Sequence, residues 1–188
     1  MLELLALMCD REGDFEWGLA YHPYPQNLRN PRTWEDDQVT FSFDTPKITF
    51  RNLEVLVAWM RTEPMRYRGE RIRTILLSEQ GLNSPDYSES SLRDQAAGLV
   101  YAWHKIRNLP EIEAFHYHRY VDHEKEGGLN LGLWTVKEGS VTRPERRKPA
   151  WHVYRALGTE DEADATAFAR EVLGIDDFDE IPYRGTVE

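Results

Sequence analysis

The chain has 188 residues, of which 40% are apolar and 12% aromatic, a composition typical of a globular domain and not of a disordered chain. The formal net charge of −10 argues against a nucleic-acid groove, because phosphate binding needs clustered lysine and arginine. Cys9 is the single cysteine, which excludes an intrachain disulfide and a cysteine-based metal motif, and no apolar run reaches the length of a membrane span.

The first part of the chain predicts a helix, a strand and a long loop. Apolar residues at helical spacing predict a helix that ends before Gly13. A strand is predicted over residues 15–21, followed by a polar loop over residues 23–50. Loops of this length in compact domains are usually functional or disordered, and the aromatic residues Tyr24 and Trp34 favour function.

The middle of the chain alternates helix and strand again. Apolar periodicity predicts a helix over residues 51–62, a strand over residues 72–78 and a helix that runs to about Asn108. The apolar run Ile75-Leu76-Leu77 is short and ends abruptly in a polar turn, which predicts a parallel strand buried on both faces. A carboxylate at the C-terminal end of such a strand, here Glu79, is where α/β barrels place their chemistry.

The last part of the chain predicts a third strand over residues 112–120 and a glycine-rich loop over residues 127–134. The basic run over residues 143–148 is broken by a proline and a glutamate, which indicates a solvated loop. A further helix is predicted over residues 149–158, because proline suits its first turn and glycine its end. Residues 159–188 are predicted to form a C-terminal helix and tail.

The order helix, strand, helix, strand, helix, strand, helix predicts an α/β architecture with a parallel sheet. A complete (β/α)8 barrel takes about 250 residues, and this chain has only three predicted barrel strands. We therefore predict a single domain over residues 1–188, a partial TIM barrel formed by the last three or so strand–helix units. A small open α/β sheet is the alternative fold.

Several strand ends carry motifs that resemble those of a known group of enzymes. His22-Pro23-Tyr24-Pro25 and Ser78-Glu79-Gln80-Gly81 resemble the ends of the sixth and seventh strands of (β/α)8-barrel glycoside hydrolases. The eighth strand, its loop and the last helix of those barrels are similar to residues 112–122, 132–134 and 148–151. Taken together, the motifs resemble an uncharacterised bacterial family, a domain of unknown function with a glycosidase-like barrel.

The resemblance, which covers roughly residues 1–175, implies a retaining glycoside hydrolase that acts on a poly- or oligosaccharide with Glu79 as nucleophile. Retaining hydrolysis needs two carboxyl groups about 5–5.5 Å apart. The acid/base of these enzymes is a glutamate on a fourth strand, usually preceded by asparagine, and no such strand is predicted here. We therefore expect the missing N-terminal half of the barrel, or a self-association partner, to complete the site. The resemblance also implies a periplasmic or secreted protein, although no signal peptide is predicted.

Other polar and aromatic residues near the strand ends are candidate sugar contacts. In the hydrolase hypothesis the three histidines donate hydrogen bonds to sugar hydroxyls or to Glu79, and the aromatic rings stack on the C–H face of a pyranose. The candidate substrate-binding residues are His22, Tyr24, Trp34, Gln80, His116, His118 and Trp134. Core packing is the alternative for the aromatic residues, and pairing with Arg73 or Arg119 is the alternative for Glu79.

Two other function classes stay open from the sequence. The first is a non-catalytic carbohydrate-binding or structural fragment, which fits a chain without the acid/base. The second is a metal-dependent hydrolase, because His116 and His118 alternate onto one strand face close to Asp122 and His123. Their spacing differs from the familiar metallo-hydrolase motifs, so we expect no metal and no cofactor. Carbohydrate is the expected ligand, and neither nucleic acid nor membrane is an expected partner.

Overall fold

The structure is a computed structural model that describes residues 2–184 and 187. Its main sheet has three parallel strands in chain order, β1 (Leu19–Tyr21), β2 (Ile75–Gln80) and β3 (Ile112–Tyr117). The central strand β2 pairs with both neighbours, so that Ile75 lies opposite Leu19 on one side and opposite Ile112 on the other.

Helices connect these strands, and a hairpin and three more helices follow them. The preceding and connecting helices are α1 (Leu2–Glu12), α2 (Leu53–Met60) and α3 (Glu89–Ile106). The hairpin is a separate two-stranded antiparallel sheet of β4 (Trp134–Val136) and β5 (Pro144–Arg147). The last helices are α4 (Pro149–Ala156), α5 (Glu162–Thr166) and α6 (Ala169–Leu173). None of the helices in the described ranges combines the length and hydrophobicity needed to cross a bilayer.

Local capping explains where two of these helices begin and end. The Ser88 hydroxyl caps α3 by accepting a hydrogen bond from the backbone N–H of Ser91 at 3.3 Å. Pro149 begins α4, where its missing N–H leaves no hydrogen bond unmade. Gly158 follows α4 with a φ of 75°, a left-handed conformation that glycine adopts without a steric penalty.

Helices α2, α3 and α4 share one hydrophobic core with one face of the main sheet. Ile75 and Leu77 of β2 are fully buried on that face. The rings of Phe115 and Tyr117 of β3 lie 6.2 and 5.8 Å from the ring of Tyr154 on α4. Burial of side chains this large contributes about 1.5–3 kcal/mol each, so this interface carries much of the hydrophobic stabilisation of the sheet.

Solvent reaches the opposite face of the sheet. Ala20 and His116, which alternate to that face, are exposed, and Leu76 of β2 is only partly buried. The strand that we expected to be buried on both faces is therefore fully buried on one face alone.

The prediction of a partial TIM barrel is wrong. The fold is mixed α/β, with a three-stranded parallel sheet and a separate two-stranded antiparallel sheet. After β3 the chain enters the hairpin, and the face that a barrel would enclose is open to solvent. The sequence misled because apolar strands alternate with amphipathic helices in the same way whether the sheet is open or closed.

The boundaries of several other elements differ from their predictions. The first strand has three residues instead of seven, because only Leu19–Tyr21 pairs with β2. The helix expected near residues 160–173 is divided into α5 and α6. Residues 144–147, expected in a solvated loop, form strand β5 with all four residues exposed.

A buried ion pair joins the segment after β3 to the start of α4. Lys148 Nζ lies 2.8 Å from Asp122 Oδ2, and both side chains are almost completely buried. Asp122 also accepts hydrogen bonds from the backbone N–H of Gly132 at 2.6 Å and from the Tyr87 hydroxyl at 3.0 Å. Burial raises the pKa of Asp122 and lowers that of Lys148, and their mutual attraction opposes both shifts.

Replacing Lys148 by methionine should lower the free energy of unfolding by about 3–5 kcal/mol, because Asp122 would keep a buried charge without its partner. Urea unfolding measures this loss. The double variant Lys148→Met/Asp122→Asn should recover part of it, and Lys125→Met on an exposed lysine should change stability by less than about 0.5 kcal/mol. A Lys148→Met protein as stable as wild type would contradict the role given to the pair.

Candidate functional site

The carboxyl ends of the three parallel strands meet at one edge of the main sheet. His22 and Tyr24 follow β1, and His118 directly follows the end of β3. Ser78 and Glu79 lie near the C-terminal end of β2. Open parallel sheets bind their ligands at this edge, because the loops that leave adjacent strands converge there.

A bulge near the end of β2 determines which of its side chains face this edge. Leu77 pairs with Phe115 and Gln80 pairs with Tyr117, so three steps along β2 match two steps along β3. One extra residue in a strand interrupts the alternation of its side chains. Gln80 is consequently buried like Leu77, whereas Glu79 is exposed.

Two hydrogen bonds connect the end of β2 to the segment after β1. His22 Nε2 lies 3.0 Å from Ser78 Oγ. The Tyr24 hydroxyl donates to Glu79 Oε1 at 3.0 Å. Burial raises the pKa of Tyr24, and the hydrogen bond to Glu79 and its charge raise it further. The phenol therefore stays protonated and orients an accessible carboxylate.

Gln80 and Gly81 fasten the end of β2 to the end of β3. Gln80 is completely buried and donates through Nε2 to the backbone carbonyls of Leu77 and His116. A Cβ atom on Gly81 would lie 1.9 Å from the carbonyl oxygen of His118, so only glycine fits there. Gln80, a predicted substrate contact, is thus placed where it joins two strands.

A second carboxylate lies at the same edge in a cluster that the sequence analysis missed. Glu126 Oε1 lies 3.1 Å from His118 Nε2, and Glu126 Oε2 accepts from Arg119 Nη1 at 3.0 Å. Burial alone would raise the pKa of Glu126, but its bonds to His118 and Arg119 outweigh that effect and lower it. The charge of Glu126 also makes a small contribution to the raised pKa of Tyr24. No spacing motif marks Glu126, because it lies in the loop after β3.

The structure places the other predicted sugar contacts in different surroundings. His116 is exposed on the open face of β3. Trp34 lies in the 3-10 helix Thr33–Glu35 and packs against the hydrophobic core, with its ring 6.2 Å from that of Tyr101. Trp134 begins β4, and its ring lies 6.2 Å from those of Tyr120 and Trp151. The roles of Trp34 and Trp134 as stacking surfaces for a sugar, and of His116 as a sugar contact, stay predictions.

The metal-hydrolase hypothesis gains no support from the arrangement of side chains. Within residues 2–184, no three histidine, cysteine, aspartate or glutamate side chains converge in a group that could hold a metal ion. His118 is engaged by Glu126 instead, and His116 is exposed to solvent.

Comparison with known proteins identifies a family for the chain. A family model described as a family of unknown function, DUF5722, matches residues 1–181. The chain belongs to the DUF5722 family. No curated protein and no solved structure matches this DUF5722 chain. The sequence-based resemblance to an uncharacterised family is therefore confirmed at that level, and Glu79 and Tyr24 lie inside the matched region.

Gly81→Ala should lower the free energy of unfolding by about 3 kcal/mol, because the added methyl group would meet the backbone of His118 and force the two strand ends apart. Gly127→Ala is the matched control, since Gly127 has a φ of 62° but no neighbour within 4 Å, and should cost only about 1 kcal/mol. Urea unfolding of the two variants compares these losses. Equal losses would refute the close approach at Gly81.

Tyr24→Phe should leave the tyrosine absorbance step near pH 10.0 unchanged, because burial and Glu79 raise the pKa of Tyr24 above that range. Because the pKa of Tyr24 is raised in the folded protein, its phenol contributes stability below pH 10.0 that is lost as the pH rises through that raised pKa. The free energy of unfolding of wild type should therefore fall more steeply in strong alkali than that of Tyr24→Phe. Spectrophotometric titration tests the first point. If the absorbance step near pH 10.0 were smaller in Tyr24→Phe by the amount of one tyrosine, the raised pKa of Tyr24 would be contradicted.

Proposed function

We propose that this DUF5722 chain carries the nucleophile of a retaining glycoside hydrolase that acts on a poly- or oligosaccharide. The observation that supports this proposal is the hydrogen bond from the Tyr24 hydroxyl to Glu79 Oε1, made by an exposed carboxylate at the carboxyl end of β2. A nucleophilic carboxylate must be correctly aimed, and the hydrogen bond from the phenol fixes the position of one of its oxygens.

In the proposed reaction Glu79 attacks the anomeric carbon of a bound sugar through the carboxylate oxygen that does not accept from Tyr24. The new bond from this oxygen to the anomeric carbon forms as the bond to the leaving-group oxygen breaks, and an acid protonates that oxygen. Water then hydrolyses the glycosyl ester and restores the carboxylate. His22, Ser78 and His116 would supply hydrogen bonds to the sugar hydroxyls.

Space for a sugar adjoins this contact. A cavity of about 480 Å³ is lined by Tyr21, Tyr24 and the segment 45–49. A larger cavity of about 910 Å³ lies at the opposite ends of the strands, between α1 and residues 62–69, and has no part in the proposal. The smaller cavity is suited to a sugar unit next to the one that reacts, since Tyr24 borders both the cavity and Glu79.

A second candidate function is carbohydrate binding without catalysis. Retaining hydrolysis needs a protonated carboxyl group as well as the nucleophile. Glu126, the carboxylate beside His118, has a lowered pKa because His118 and Arg119 hold it ionised, which is the opposite of what a general acid needs. The ionised state of Glu126 therefore favours carbohydrate binding without catalysis as the function of this chain alone.

The test is covalent labelling with a panel of 2-deoxy-2-fluoro glycosyl fluorides, which react with a retaining nucleophile and release it slowly. Peptide mass spectrometry should find the label on Glu79. Turnover of nitrophenyl glycosides should fall at least about a thousandfold in Glu79→Gln, because the attacking carboxylate is lost. Glu138→Gln, on an exposed glutamate of the β4–β5 hairpin, is the matched control and should retain full activity.

The outcomes separate the two candidate functions. A label on another residue, or undiminished turnover in Glu79→Gln, would remove Glu79 from the mechanism. Sugar binding by calorimetry without labelling or turnover would refute the hydrolase proposal and support the binding function.

A further inference from the structure

The β4–β5 hairpin and the outer side of α4 form a basic surface that the proposed reaction does not use. Trp134 of β4 lies opposite Arg147 of β5. We call this region the hairpin surface and define it by Trp134, Arg143, Arg146, Arg147, Trp151 and Arg155. All four arginines are exposed, although the chain as a whole carries a net charge of −10.

The arginines of the hairpin surface have no acidic partners in the part of the chain that the structure describes. Two other exposed arginines do form ion pairs, Arg71 with Glu16 and Arg107 with Glu162. Glu145 of β5 lies between Arg143 and Arg146 in the sequence, whereas Arg147 and Arg155 share the ring of Trp151. Two cations this close repel each other, and a bound anion relieves that repulsion. Their grouping therefore points to an anionic ligand.

Two of these guanidinium groups are stacked on indole rings. The Arg147 guanidinium carbon lies 4.1 Å from the centroid of the Trp151 ring and 5.1 Å from that of Trp134. The Arg155 guanidinium carbon lies 5.6 Å from the centroid of the same Trp151 ring. Stacking holds a guanidinium group in place while its N–H donors stay available at the edge, a geometry that suits two-point binding of a carboxylate.

The hairpin surface is continuous with the candidate site. The exposed ring of Tyr120 lies 6.2 Å from that of Trp134. Its neighbour Arg119 binds Glu126, which in turn holds His118 at the end of β3. An extended ligand that leaves the strand ends can therefore pass over Tyr120 to the arginines.

We propose that the hairpin surface binds the carboxylate groups of an acidic glycan, and that the substrate of the Glu79 site is a polysaccharide containing uronic acids. This inference rests on the proposed function for its link to Glu79, but the binding itself is measured independently. Single-stranded nucleic acid fits less well, because it needs free aromatic faces for base stacking and the rings of Trp134 and Trp151 carry arginines.

The experiment measures binding by calorimetry with a galacturonate hexamer, and with a neutral glucan hexamer as the comparison ligand. Wild type should bind the acidic hexamer more tightly, and rising salt should weaken that binding because it is electrostatic. Arg147→Gln/Arg155→Gln should weaken it about tenfold, since two charge-assisted contacts are lost. Arg11→Gln, on an exposed arginine of α1, should leave it unchanged.

Because Arg147 also packs on two tryptophans, thermal unfolding of each variant accompanies the binding data. Arg155→Gln alone leaves the Arg147 stack in place and should still weaken binding severalfold. Equal binding of the neutral hexamer, or loss of binding in Arg11→Gln, would overturn the proposal. Equally tight binding of single-stranded DNA of matched charge would also overturn it, since the surface would then select charge alone.

Failure of this inference is distinguishable from failure of the proposed function. Arginine-dependent binding of the galacturonate hexamer without labelling of Glu79 would support the surface and refute the hydrolase. Labelling of Glu79 without any binding of the acidic hexamer would refute the surface alone.

Discussion

Parallel hydrogen bonding of β2 to both neighbouring strands is the constraint on which the candidate site depends. Glu79 meets Tyr24, and Ser78 meets His22, across more than 50 residues of sequence. No local turn could hold such pairs together, so the strand ladders must do it. Because Gly81 lets the ends of β2 and β3 approach closely, a change in that contact alters the site without touching any of the residues that carry its chemistry.

Much of the fold follows from patterns that are visible in the sequence. The apolar spacing of α2 and α3 and the short apolar run of β2 mark elements that the structure contains. The position of Glu79 at the end of the apolar run of β2 marked the edge where the candidate site lies. Whether the sheet closes was not predictable in this way, because closure depends on the number and tilt of strands and not on the pattern within each strand. The exposed strand β5 carries no apolar alternation, so the hairpin could not be foreseen.

The parts of the site that could not be foreseen are those that depend on contacts between distant residues. Gln80 follows Glu79 and looked like a substrate contact, but the bulge in β2 turns it into the interior. Glu126 is one of many acidic residues in the chain, and only its position beside His118 and Arg119 distinguishes it. The buried lysine Lys148 ends a basic run that reads as solvated, because hydrophobic periodicity does not register a charge that is buried with its partner.

The extra residue in β2 makes the site depend on chain length as well as on residue identity. A regular strand would direct Ser78 and Glu79 to opposite sides of the sheet, but here consecutive residues contact His22 and Tyr24 on the adjoining segment. Removing a single residue between Leu77 and Gln80 would restore strict alternation. Either the hydroxyl or the carboxylate would then be lost from the edge, although the composition of the segment would be nearly the same. This stretch can therefore tolerate exchanges of side chains more readily than any insertion or deletion.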